Sequence, residues 1–244
     1  MTRVLFRETS SPFLLAATLQ HHFDSLSAVY RSTVPRLKTG FYVDDMVVGC
    51  MSESDAMKVY DDACQILKEA GMEIRKWTSN SEALREAFLE DGISYDDASS
   101  GDAVVKVLGI LWNRSTDHIQ FNVEHARNFA GSRCPTKRVL LNTFSMIYDQ
   151  LGYLSPFVVT ARLLFQDLWR KDCPWDAPLG EDEARAWEAW ETDLPHITQL
   201  HLRRCVLQSD QEDHRLGVHC FADASPRAYC TAVYVRISPR NGHP

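Results

Sequence analysis

Apolar and polar positions alternate in helical and strand periods along most of the chain. Ser11-Pro12 reads as a helix opening, with Ser11 as cap and Pro12 in the first turn, followed by Leu14, Leu15, Thr18 and Leu19. Residues 40–43 and 46–50 read as two short strands joined by an Asp44-Asp45 turn. Ser52 or Ser54 then caps an amphipathic helix through Ala56, Val59, Tyr60, Ala63, Ile66 and Leu67, closed by Gly71. Residues 72–77 predict a strand and 81–89 a short helix. Residues 90–102, rich in Asp, Ser and Gly, predict a loop. Residues 104–112 and 119–123 predict a strand pair joined through 113–117. The texture then turns helical, over 139–151, 156–169 and 181–194, and returns to strand over 201–207, 216–221 and 228–237. An α/β stretch, an all-α stretch and a β stretch in sequence suggest pieces of more than one domain.

Composition refines this picture. In 244 residues, 45% hydrophobic content is enough to bury a core. No apolar stretch reaches membrane-spanning length, and the expectation is a soluble, cytoplasmic chain. The cysteines (Cys50, Cys64, Cys134, Cys173, Cys205, Cys220, Cys230) are scattered and odd in number. They read as free thiols of a reducing compartment rather than a disulfide framework or a zinc site. A net charge of −7 disfavours a free-standing nucleic-acid binder but leaves local basic surface, around Arg127, Arg133, Lys137 and Arg138 and again at Arg162, Arg170 and Lys171. Acidic residues gather in 91–102 and 181–193. Trp112, Trp187 and Trp190 read as core residues rather than base-stacking platforms, as does the run 46–48. His21-His22 reads as ordinary surface.

The candidate chemistry lies in Phe41-Tyr42-Val43-Asp44-Asp45, followed by Met46-Val47-Val48. A tight turn lets two neighbouring carboxylates approach one point in space. Like charges held close repel unless a cation lies between them, and Mg²⁺ is the hard ion suited to carboxylates and phosphates. Two such ions about 4 Å apart can activate a hydroxyl and stabilise a leaving pyrophosphate. On that chemistry Asp44 is the direct ligand and Asp45 a second, weaker one. The other reading of these residues is a plain hairpin whose turn carries two aspartates.

The chain resembles the reverse transcriptases of LTR retrotransposons, most closely the BEL/Pao group, in blocks that occur in the family's order. Ser10 to Ala17 is similar to the segment opening the long palm helix beside the nucleotide, and Tyr42-Val43-Asp44-Asp45 to the polymerase metal turn. Ala70-Gly71-Met72 through Arg75-Lys76-Trp77 resembles the following helix-to-strand segment, and Val107-Leu108-Gly109-Ile110-Leu111-Trp112 the hairpin that grips the primer end. Thr136-Lys137-Arg138, Tyr148 to Pro156, Leu168-Trp169 and the Trp187/Trp190 pair resemble a region called the Pao retrotransposon peptidase family. Phe221-Ala222-Asp223-Ala224-Ser225 with Ala228-Tyr229 resembles the opening strand of a retroelement ribonuclease H.

The resemblance implies an α+β chain: a partial polymerase palm (β-hairpin and helices) over 1–125, a helical thumb/connection over 126–200, and the first β-strands of an RNase H-like domain over 201–244. It implies RNA-directed DNA polymerisation on a template–primer with dNTP and two Mg²⁺ or Mn²⁺ ions. The expected roles are Asp44 and Asp45 as catalytic metal ligands and Asp223 as a vestigial ribonuclease H ligand. Ser11, Pro12, Tyr42, Lys76, Leu108 and Gly109 would contact nucleotide or primer, and Lys137 and Arg138 the nucleic-acid backbone.

Departures from the family pattern temper the activity. The family's third metal aspartate has no counterpart before Ser11-Pro12. Phe6-Arg7 stands where the family reads Phe-Gly, and of the ribonuclease carboxylates only Asp223 is present. The expectation is a fragment with little or no polymerase activity alone and poor solubility from an open sheet edge. The alternative is a non-catalytic remnant with weak or no nucleic-acid binding. Peptidase chemistry is rejected, because neither Asp-Thr-Gly nor Asp-Ser-Gly occurs.

Overall fold

The computed structural model describes residues 8–26, 28–92, 103–206 and 214–239. The chain divides into two compact units, 1–102 and 103–244. The limits expected at 125/126 and 200/201 therefore both fall inside the second unit. Helices and small antiparallel sheets make it an α+β protein.

In the first unit, α1 (Ser11–Ser25), α2 (Val34–Gly40), the hairpin β1 (Phe41–Tyr42) and β2 (Asp45–Met46), α3 (Glu53–Glu69) and α4 (Glu82–Glu90) follow in order. Ser10, not Ser11, occupies the cap position of α1, without a side-chain capping bond, so Ser11 and Pro12 both lie within the helix. The start of the first strand moves to Phe41 because residues 34–40, with Pro35 in the first turn, are helical. Ser52 caps α3 by accepting from the Asp55 amide, and Ser81 caps α4 by accepting from the Leu84 amide. At the end of α3, Gly71 adopts a φ of 68° while the Gly71 and Met72 amides donate back to the Lys68 and Leu67 carbonyls. This is the left-handed stop that glycine makes without strain.

Leu19, Phe23, Leu37, Ala63, Ile66 and Leu67 form the core of this unit, and Tyr60, Leu84 and Phe88 a second cluster against Trp77. Residues 72–77 make no strand pairing among the described residues. Side chains hold this stretch instead: Met72 and Ile74 pack on the first cluster, and the Trp77 ring meets Tyr60 edge-on at 4.9 Å. Of the run 46–48, only Met46 is strand, and Val47 is 50% exposed rather than core.

In the second unit, β3 (Val104–Val107), β4 (Ile110–Asn113), β5 (His118–Gln120) and β6 (Leu202–Arg203) form one antiparallel sheet in that order. The run 104–112 is thus not one strand; it folds back at Leu108-Gly109. Strand β6 closes this sheet and does not open the next one. Asp117 fastens it: its carboxylate takes both the Nε and Nη2 of Arg204, at 2.7 and 3.0 Å, and the Trp112 indole N–H at 2.9 Å.

Helices α5 (Glu124–Gly131), α6 (Lys137–Ser145), α7 (Ser155–Arg170) and α8 (Glu181–Asp193) enclose the core of Leu140, Phe144, Val158, Leu168, Trp187, Trp190 and Leu194. Among the described residues no helix is long and apolar enough to cross a membrane. None of the cysteines forms a disulfide among the described residues.

Strands β7 (His214–Ala224) and β8 (Tyr229–Pro239) form a separate two-stranded ribbon paired from His214↔Pro239 to Ala224↔Tyr229. Alternation places Leu216, Val218, Val233 and Val235 on one face and Arg215, His219, Asp223 and Arg236 on the other. The Arg227 guanidinium at its tip donates to Asp167 of α7 at 2.8 Å.

Candidate functional site

The Phe41↔Met46 pair turns inward, and Phe41 meets the ring of Phe23 on α1 at 5.9 Å. The next pair, Tyr42↔Asp45, must then face outward. The connecting turn is Val43-Asp44, one residue earlier than expected, so Asp44 occupies the corner and Asp45 begins β2. Val43 has a φ of 58°, the position a two-residue hairpin turn of this kind usually gives to glycine. A β-branched side chain there stores roughly 1–3 kcal/mol of strain, and such strain collects at functional turns.

Behind the tip the Val47 amide donates to the Gly40 carbonyl at 2.9 Å. A Cβ on Gly40 would lie 2.8 Å from both the Val47 carbonyl oxygen and a Val48 methyl, so this approach requires glycine. The result is a braced hairpin presenting Tyr42, Asp44 and Asp45 to solvent. These two carboxylates are hard donors suited to a divalent cation. Among the described residues, however, no three His, Cys, Asp or Glu side chains meet at metal-binding spacing. Among the described residues the two carboxylates thus gain no third donor of these types.

Other residues expected at a site lie apart from this turn in the sequence of elements. Ser11 is half-buried and Pro12 exposed in the first turn of α1, and Lys76 is exposed on the unpaired 72–77 stretch. Asp223 sits near the end of β7, exposed, its carboxylate accepting from the Ala224 amide at 2.8 Å. Lys137 is turned inward and only 4% exposed. Its ammonium lies 4.0 Å over the Trp169 ring and 5.0 Å from Trp175, and donates to the Cys173 carbonyl at 3.3 Å. In this position it fastens α6 to the end of α7 and does not meet solvent. Arg138 is at the surface, forked onto Asp176 at 2.7 and 3.0 Å, which holds that carboxyl below its ordinary range. A phosphate would have to displace Asp176 to reach it.

Leu108 and Gly109 form the turn of the β3–β4 hairpin with φ of 48° and 86°, the two positive values of a type I′ turn. Sequence reasoning missed what holds them. The Tyr148 hydroxyl donates to the Leu108 carbonyl at 2.6 Å, and its ring covers Gly109 so closely that a Cβ there would lie 2.4 Å away. Tyr148 belongs to the loop after α6, which Asp149 braces by accepting from the Tyr153 and Leu154 amides at 3.0 and 2.7 Å. Between the hairpin, α5 and this loop lies a cavity of about 480 Å³.

Residues 136–244 match the family described as Pao retrotransposon-like RNaseH-like domain. No curated protein and no solved structure matches the chain.

Proposed function

We propose that the chain is a segment of a BEL/Pao retrotransposon polyprotein, joining part of a reverse-transcriptase palm to helices and the first strands of an RNase H-like domain. The observation that carries this reading is the family match over residues 136–244, which concerns retrotransposon sequence. The hairpin tip adds the polymerase part: Asp44 and Asp45 stand exposed on a strained, well-anchored turn, which suits ions that must also meet phosphate. Asp44 is the first metal ligand in this reading and Asp45 the second, with Mg²⁺ or Mn²⁺ supplying charge neutralisation when bound. Tyr42 and Lys76 face nucleotide, and the Leu108-Gly109 hairpin faces primer. The substrates are a template–primer, held by its A-form shape, and dNTP.

With two donor carboxylates and no third beside them among the described residues, the chain alone is expected to extend a primer marginally or not at all. Primer extension on a homopolymer template with Mn²⁺ measures this. Robust extension that disappears with Asp44→Asn would overturn the claimed incompetence and keep the metal turn. Extension that survives Asp44→Asn would remove the metal assignment itself.

A further inference from the structure

We propose that the cavity closed by Tyr148 takes one unpaired nucleobase of a nucleic-acid strand. The floor is apolar, with Ile119 buried and Leu111 and Met146 half-buried. Four neutral amides line it, Gln120, Asn122, Asn128 and Gln150, together with the rings of Tyr148 and Tyr153. Amides offer a donor and an acceptor side by side, which is what a base edge presents, and an aromatic ring offers a stacking face that every base can use.

Charge argues against a phosphate as the principal guest. Glu124 and Asp149 share the lining with Lys106 and His125, so cationic surplus is small, and both Asp149 oxygens already accept backbone amides. The volume, about 480 Å³, is in the range of pockets for a single small ligand.

The walls are also fixed in advance. The loop is braced through Asp149 and the hairpin is clamped by the Tyr148 hydroxyl, so little ordering is left for binding to impose. Tyr153, Asn128 and Gln150 remain exposed to an incoming base.

The inference rests on the nucleic-acid reading above and can fail separately from it. The test is fluorescence anisotropy at low salt, using the full chain and a labelled single-stranded 12-mer. The controls are the same strand made abasic, which keeps the phosphates, and a blunt duplex of equal length. The base-bearing strand is expected to bind at least about tenfold more tightly than either control. Tyr153→Ala should weaken it by roughly tenfold, the scale of one lost base stack, and Gln150→Ala by less. Far-UV circular dichroism checks that both variants stay folded.

Equal binding of the base-bearing and abasic strands overturns the proposal, as does parental binding by both folded variants or no binding at all. If strand binding responds to neither variant while Asp44→Asn/Asp45→Asn still removes Mn²⁺ binding, the cavity is refuted and the polymerase reading stands.

Discussion

Gly109→Ala is expected to destabilise the second unit by about 2–4 kcal/mol, read by urea denaturation. Two independent effects add. At a φ of 86° any Cβ strains the backbone, and here the added atom would also lie 2.4–2.6 Å from Tyr148 ring atoms. The ring can escape only by giving up its bond to the Leu108 carbonyl, worth about 1 kcal/mol. The same substitution in a Tyr148→Ala background should be milder, because the clash is gone and only the backbone strain remains. Equal losses in the two backgrounds would show that the tyrosine does not clamp this turn.

Trp190→Ala should be larger still, about 3–5 kcal/mol. Trp190 is 6% exposed and stacked between Phe157 and Trp187 at centroid distances of 4.8 and 4.9 Å, and its indole N–H donates to the Phe157 carbonyl at 3.1 Å. One side chain therefore couples α8 to the first turn of α7, and its removal leaves a cavity and breaks that bond, while the Phe157 carbonyl keeps the Thr160 hydroxyl as a donor. For a fold stable by roughly 5–15 kcal/mol, that approaches the whole margin. Tyr229, 88% exposed on the ribbon, is the contrast: its alanine variant should stay within about 0.5 kcal/mol of the parent. A Trp190→Ala chain melting like the parent would contradict the core described for this unit.

Helices with local stop and start chemistry were legible in advance. Ser52, one of two candidate caps, and Gly71 as a stop act within a few residues of where they stand, and α3 follows them, while α4 and α7 lie close to the expected 81–89 and 156–169. The burial of Trp187 and Trp190 also followed from their size and spacing. What stayed hidden depends on partners far along the chain or on residues poorly suited to their backbone. Leu108 and Val43 are apolar residues with positive φ, so neither turn announced its position.

Helix α6 stops at Ser145 although apolar spacing continues to Leu151, because Asp149 captures the amides of Tyr153 and Leu154. Lys137 reads as surface until Trp169 and Trp175 arrive to cover it. Residues 72–77 alternate like a strand, but alternation cannot supply the neighbour a ladder needs. At the candidate site, the order Tyr42-Val43-Asp44-Asp45 was visible, whereas the register that turns Phe41 and Met46 inward was not.

In the proposed reading Asp44 and Asp45 share a divalent cation at the hairpin tip. Mn²⁺ titration followed by electron paramagnetic resonance measures it directly, comparing the parent chain with Asp44→Asn/Asp45→Asn. The parent is expected to bind weakly, and the double substitution to remove that binding while the fold, checked by circular dichroism, stays intact. Identical Mn²⁺ binding by the two chains, or none by the parent, would contradict it.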